Sequence, residues 1–136
     1  MKKILLTLGL LTITVLPVLA ANWVILNPTE ALYLDTTSIS KYNFYGRNNI
    51  YSMWTKNLNN NSHSDLKSTT SFNSFMGMHL IDCNTKETTI KSGTWYDSNG
   101  QNIQSITIDN YQLKWEPIIP GSVGEAMYNY ACGGYR

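Results

Sequence analysis

Along most of this chain apolar and polar residues alternate with a period of two, and near the C-terminus the period lengthens to that of a helix. Side chains repeating every second residue line one face of a strand, whereas those at i, i+3, i+4 and i+7 line one face of a helix. Residues 22–26 (NWVIL) read as a first short strand, ended by Asn27-Pro28 because proline removes a donor and restricts its predecessor. Residues 31–35 (ALYLD) read as a second, with 36–39 continuing extended or turning. In residues 48–56, Ile50, Ser52 and Trp54 alternate with Tyr51, Met53 and Thr55, and bulk on both faces predicts a central strand. Between 66 and 83, Met76, Met78 and Leu80 alternate with Phe75, His79, Ile81 and Cys83, and Gly77 marks a bulge or a close backbone approach. Residues 88–97 and 102–109 flank Asp97-Ser98-Asn99-Gly100, whose glycine can adopt the positive φ of a short hairpin. Residues 113–119 follow, and Pro117 and Pro120 keep them out of a central strand.

The period then changes. Val123, Ala126, Met127, Tyr130 and Ala131 form one apolar stripe at helical spacing. Ser122 followed by Glu125 is a capping-box pattern, in which the serine accepts from the Glu125 N–H and the carboxylate returns to the Ser122 N–H. Pro120-Gly121 breaks the chain before it, and Gly133-Gly134 offers a left-handed residue on which the helix can end. A helix this short is marginal alone in water, so its stripe needs a surface. The pattern therefore predicts an α+β domain: an antiparallel sheet of about six strands with one C-terminal helix packed on one face.

Met1-Lys2-Lys3, an apolar run over 4–16, Pro17 and then Val18-Leu19-Ala20 have the three parts of a secretory leader, with cleavage expected after Ala20. An uncleaved anchor is the other reading of the same run. Cleavage divides the 136 residues into a leader, 1–20, and a mature chain, 21–136, suited to one domain with one core. Without Lys2 and Lys3 the mature chain carries 8 basic and 9 acidic residues, which leaves no electrostatic footprint for nucleic acid. No cysteine follows the leader to accept a lipid, so no stable membrane anchor is expected after cleavage, and the protein belongs in the periplasm or beyond it. An exported chain with two cysteines, Cys83 and Cys132, points to one disulfide, the alternatives being two buried thiols or metal ligation.

Candidate chemistry is sparse. His63 lies in a polar loop (57–65) beside Asp65, and His79 stands three residues before Asp82, so on a strand the two point to opposite faces. No serine sits in a Gly-x-Ser-x-Gly elbow, and capping accounts for Ser122. Asp82, Asp97, Asp109 and Glu125 could serve as paired acids by number alone, and they read equally as turn, cap and strand-end residues. No nucleotide or phosphate motif is present, and no catalytic, metal or cofactor site is expected. The Asn60-Asn61-Ser62 triplet fits a glycosylation acceptor in a host that uses one. What remains is aromatic content: four tryptophans and nine tyrosines. The tryptophans are expected in the core, with Tyr42, Tyr45 and Tyr135 divided between packing and a recognition surface.

Read in order, Trp23, Tyr33-Leu34-Asp35, Ile50 to Lys56 (IYSMWTK), Ile81-Asp82-Cys83, Tyr96-Asp97-Ser98-Asn99-Gly100, Trp115 with Pro117, and Pro120 to Glu125 (PGSVGE) leading to Ala131-Cys132 resemble the surface-adhesin protein E family of Gram-negative bacteria. The resemblance implies an antiparallel sheet with a packed C-terminal helix, a Cys83–Cys132 bridge and no enzymatic activity. It also implies a protein ligand, of the kind found in host matrix and plasma, with homodimers in some members. An accessory or inhibitor subunit in the periplasm, or a periplasmic hydrolase, are the competing functional classes.

Overall fold

The computed structural model describes residues 20–58 and 73–133. Most of the expected leader, the loop carrying Asn60-Asn61-Ser62, His63 and Asp65, and the tail with Gly134 and Tyr135 lie outside the described residues.

Six strands form an antiparallel meander in sequence order: β1 (Trp23–Asn27), β2 (Leu32–Phe44), β3 (Arg47–Asn57), β4 (Ser74–Asp82), β5 (Glu87–Tyr96) and β6 (Asn102–Thr107). A two-residue strand, β7 (Glu116–Pro117), pairs with the start of β5, and one helix, α1 (Val123–Cys132), ends the domain. The expected α+β architecture is thus present, and β3 lies between β2 and β4 as its two bulky faces predict. The Asp97–Gly100 turn forms because Asp97 Oδ1 accepts from the N–H groups of Asn99 and Gln101, both at 2.8 Å, while Gly100 takes φ 77°.

Two strands differ from their sequence reading. The second runs on to Phe44, bent by a register shift between Asp35 and Ser40. Side chains replace the ladder there: Asp35 accepts from the Thr37 N–H and hydroxyl, and the Ser38 hydroxyl accepts from Trp54 N–H at 2.8 Å. The fourth has no bulge at Gly77, which faces Gly93 across the ladder. The Phe75 ring lies over this glycine pair, where an added Cβ would come within 2.7 Å of it at Gly77 and 2.5 Å at Gly93. Close approach of a ring, not of the backbone, is what requires these glycines. The irregularity sits between Met78 and His79, where Lys91 of β5 has no opposite residue.

The helix starts at a type II turn, with Pro120 at its first central position and Gly121 at φ 76° in the second. Ser122 Oγ accepts from the Glu125 N–H at 3.3 Å. The carboxylate of Glu125 reaches one residue further back than a capping box requires, accepting from Gly121 N–H at 2.7 Å, because the Ser122 N–H is already donated to Ile119 C=O. At the other end the cap residue Gly133 is right-handed (φ −85°) and donates its N–H to Asn129 C=O, while Gly134 lies outside the described residues. Replacing Ser122 by alanine should cost about 1 kcal/mol. Chemical denaturation at neutral pH would read this directly, and an unchanged midpoint would mean that the Glu125 contact alone sets the helix start.

The core is aliphatic and thioether, not aromatic. Leu34, Met53 and Ile81 from β2, β3 and β4 are fully enclosed against Met127 and Ala131 of α1. The four tryptophans, expected inside, are each only partly buried. Trp23 and Trp54 lie on the sheet face that the helix does not cover, and Trp95 stands on the helix side against Phe75 at the far end of β5, so each keeps one side in contact with solvent.

Candidate functional site

The pairing registers place two rows of side chains across the face that α1 leaves open. One row is Trp23, Asp35, Trp54, Met78, Ser92 and Thr107. The next is Ile25, Tyr33, Lys56, Met76, Thr94 and Ser105. The face is therefore graded: aromatic, aliphatic and thioether groups on β1–β4 give way to hydroxyls on β5 and β6. Ile25 at its edge is 52% exposed. The Lys56 ammonium stands 4.1 Å from the Trp23 ring centroid and 5.4 Å from that of Tyr33, and no carboxylate among the described residues pairs with it. Two rings thus hold a cation beside the apolar groups of this face.

The far end of the same face is closed. Ile50 and Leu80 are fully buried there. The chain between β6 and β7 returns at this end: Trp115 meets Phe44 edge-on at 5.6 Å and lies under the Arg47 guanidinium at 4.3 Å, and the Tyr42 hydroxyl donates to Asn110 Oδ1. Tyr45, by contrast, is fully exposed.

Arg47 bridges two carboxylates, Asp82 at 2.9 Å and Glu87 at 2.6 Å. Its hydrogen bonds to Glu87 and Asp82 raise its pKa further against a smaller effect of burial. Burial alone would raise Asp82. The N–H groups of Thr85 and Asn84 and the guanidinium outweigh it, and the carboxyl sits below its ordinary value. Glu87 is lowered chiefly by Arg47 and then by the Thr85 hydroxyl. Asp82 also builds the β4–β5 turn, accepting from Asn84 N–H at 2.9 Å and Thr85 N–H at 3.1 Å. The turn sets Cys83 beside α1, where it is bonded to Cys132 with the two Cα atoms 5.7 Å apart.

On the helix face, α1 packs chiefly against β1 to β4 and leaves much of β5 and β6 uncovered. A cleft of about 560 Å³ remains, walled by Ile90, Ile108, Ile118, Ile119, Val123 and Met127, with His79 also in its lining. Burial pushes the His79 imidazole down to about 4, so it is neutral at physiological pH. Glu116 lies on the same cleft, yet among the described residues nothing hydrogen-bonds to the imidazole. The other carboxylates raised by the sequence sit apart: Asp97 holds the β5–β6 turn, Asp109 precedes a 3-10 turn (Asn110–Gln112), and Glu125 serves the helix start. Among the described residues no group of three or more His, Cys, Asp and Glu is placed to hold a metal. No described helix is long and apolar enough to cross a membrane.

The open face was missed by residue-by-residue reading, though its signal was there: Trp23, Tyr33 and Trp54 alternate on strands whose registers align. This arrangement, a six-strand antiparallel meander with a disulfide-tied C-terminal helix on one side, defines a class of small disulfide-stabilised α+β domain. The family model described as surface-adhesin protein E matches residues 23–133, and the chain belongs to that family. Crystal form II of Haemophilus influenzae protein E superposes with a TM-score of 0.58 at 14% identity, covering 91% of this chain and 98% of that one. Protein E from non-typeable Haemophilus influenzae gives a TM-score of 0.56 at 14% identity, covering 90% and 84%. At this identity the likeness is one of fold. No curated protein matches the chain at a significant level.

Proposed function

We propose that this chain is an exported, disulfide-stabilised domain that binds a protein partner through the open face of its sheet, as a non-enzymatic adhesin-like module. The observation that carries the reading is the face itself. Trp23, Ile25, Tyr33, Trp54, Met76 and Met78 come from four adjacent strands on the side the helix does not cover. Aromatic and thioether side chains at a flat, partly wet surface are the residues that anchor protein interfaces, because they remove much area from water at small cost in side-chain freedom. Lys56, fixed between two rings, adds direction: it favours a partner presenting a carboxylate next to an apolar side chain. Membership of a surface-adhesin family supports the same reading, and the leader-like residues 1–20 support export.

Ile25→Glu tests it. The residue is half exposed, so the fold should survive, while a carboxylate enters the apolar side of the face beside Tyr33. With the protein immobilised and host matrix and plasma proteins passed over it, wild type should capture a partner. The variant should bind that partner about tenfold or more weakly, the cost of burying an unpaired charge. Equal binding by the variant would remove this face from the interaction.

A further inference from the structure

We infer that the cleft between α1 and strands β4 and β5 is a second, separate binding site, for a small uncharged and largely apolar molecule whose single hydrogen-bonding group meets the His79 imidazole. Its size lies within the range of small-molecule sites. Its walls are mostly aliphatic, and two of them are not collapsed onto the helix: Ile90 is 38% and Ile119 66% exposed. Aliphatic side chains held open around a concavity, rather than scattered singly, mark a place where another apolar group can be buried.

The polar lining narrows the chemistry. Lys114 and Glu116 both border the cleft, so its rim has one charge of each sign and offers no net attraction to an ion. His79 lies among these walls with no hydrogen-bond partner among the described residues. A neutral imidazole presents one N–H and one lone pair. His79 is only partly buried, so its N–H and lone pair remain open to a ligand hydroxyl, carbonyl or amine that displaces water from the cleft. The open face lies on the opposite side of the sheet, so the two sites can be occupied independently.

N-phenyl-1-naphthylamine, a neutral molecule of a naphthyl and a phenyl group joined by one N–H, which fluoresces on leaving water, is a suitable probe. Added to the oxidised protein, it should show saturable one-to-one fluorescence enhancement. Amide shifts of the wild-type protein should cluster at His79, Ile90, Val123 and Met127. Ile90→Trp, which fills the cleft from its mouth, should weaken binding about tenfold or more, and His79→Leu about fivefold, the worth of one neutral hydrogen bond. Non-saturable fluorescence, shifts centred on Trp23, Ile25 and Tyr33, or affinity unchanged in Ile90→Trp would each overturn the inference. The wild-type shift map needs no variant to fold.

Discussion

Cys132→Ser is expected to lower stability by about 4 kcal/mol, the largest effect of any single change at the helix. The bond joins residues 49 apart, and in the chain-entropy account a closed loop of that length removes about this much freedom from the unfolded state. The native side of the balance points the same way. A ten-residue helix does not hold together alone in water, and this one has few other ties to the sheet. Met127 and Ala131 meet Leu34, Met53 and Ile81, and the Tyr128 hydroxyl donates to Cys83 C=O at 3.4 Å. If the end of the helix frays, those three core side chains lose their cover. Thermal melting should therefore fall by roughly 20 °C for a domain of this size, with new binding of a hydrophobic dye. Wild type under reducing conditions should match the variant. A variant that melts with oxidised wild type would show that packing alone holds α1 in place.

Much of this fold could be read from residue patterns because the signals were local. A two-residue period, the Asp97–Gly100 turn and Ser122 before an apolar stripe each act within a few positions, and each lies where the pattern placed it. What could not be read depends on groups far apart in sequence. Whether residues 36–39 turn or continue is decided by Ser38 bonding to Trp54 across the ladder. Whether Gly77 bulges is decided by Gly93 and the ring of Phe75. The role of Asp82 needs Arg47, 35 residues earlier, and the exposure of the tryptophans depends on which sheet face the helix takes and on how far along it the helix reaches. The open face and the cleft are both products of that one choice. A helix ten residues long covers part of one face of a six-strand sheet, and the chain between β6 and β7 closes only one end of the other.

Asp82→Asn should cost about 3 kcal/mol at neutral pH, because the substitution keeps the shape and removes the charge from a nearly enclosed site. The side chain is only 2% exposed. Asparagine can still accept from the N–H groups of Asn84 and Thr85, but its amide would place donors against the Arg47 guanidinium, leaving that cation without its inner partner. Glu87→Gln, at a side chain 27% exposed, should cost less than about 1 kcal/mol for the same loss of charge. The dependence on pH separates charge from shape. Asp82 is held below its ordinary value in the fold, so its stabilisation is fully present above about pH 4 and is lost as pH falls through the lower folded value. Wild type and Asp82→Asn should therefore converge in urea midpoint as the pH is taken below 3. His79 does not confuse the comparison. Its value is lowered to about 4 in the fold, so it withdraws stability from both proteins alike as pH falls from about 6.5 towards 4. A gap that stayed constant from pH 7 to the acid limit would place the whole effect in the geometry of the β4–β5 turn and none in the Arg47 pair.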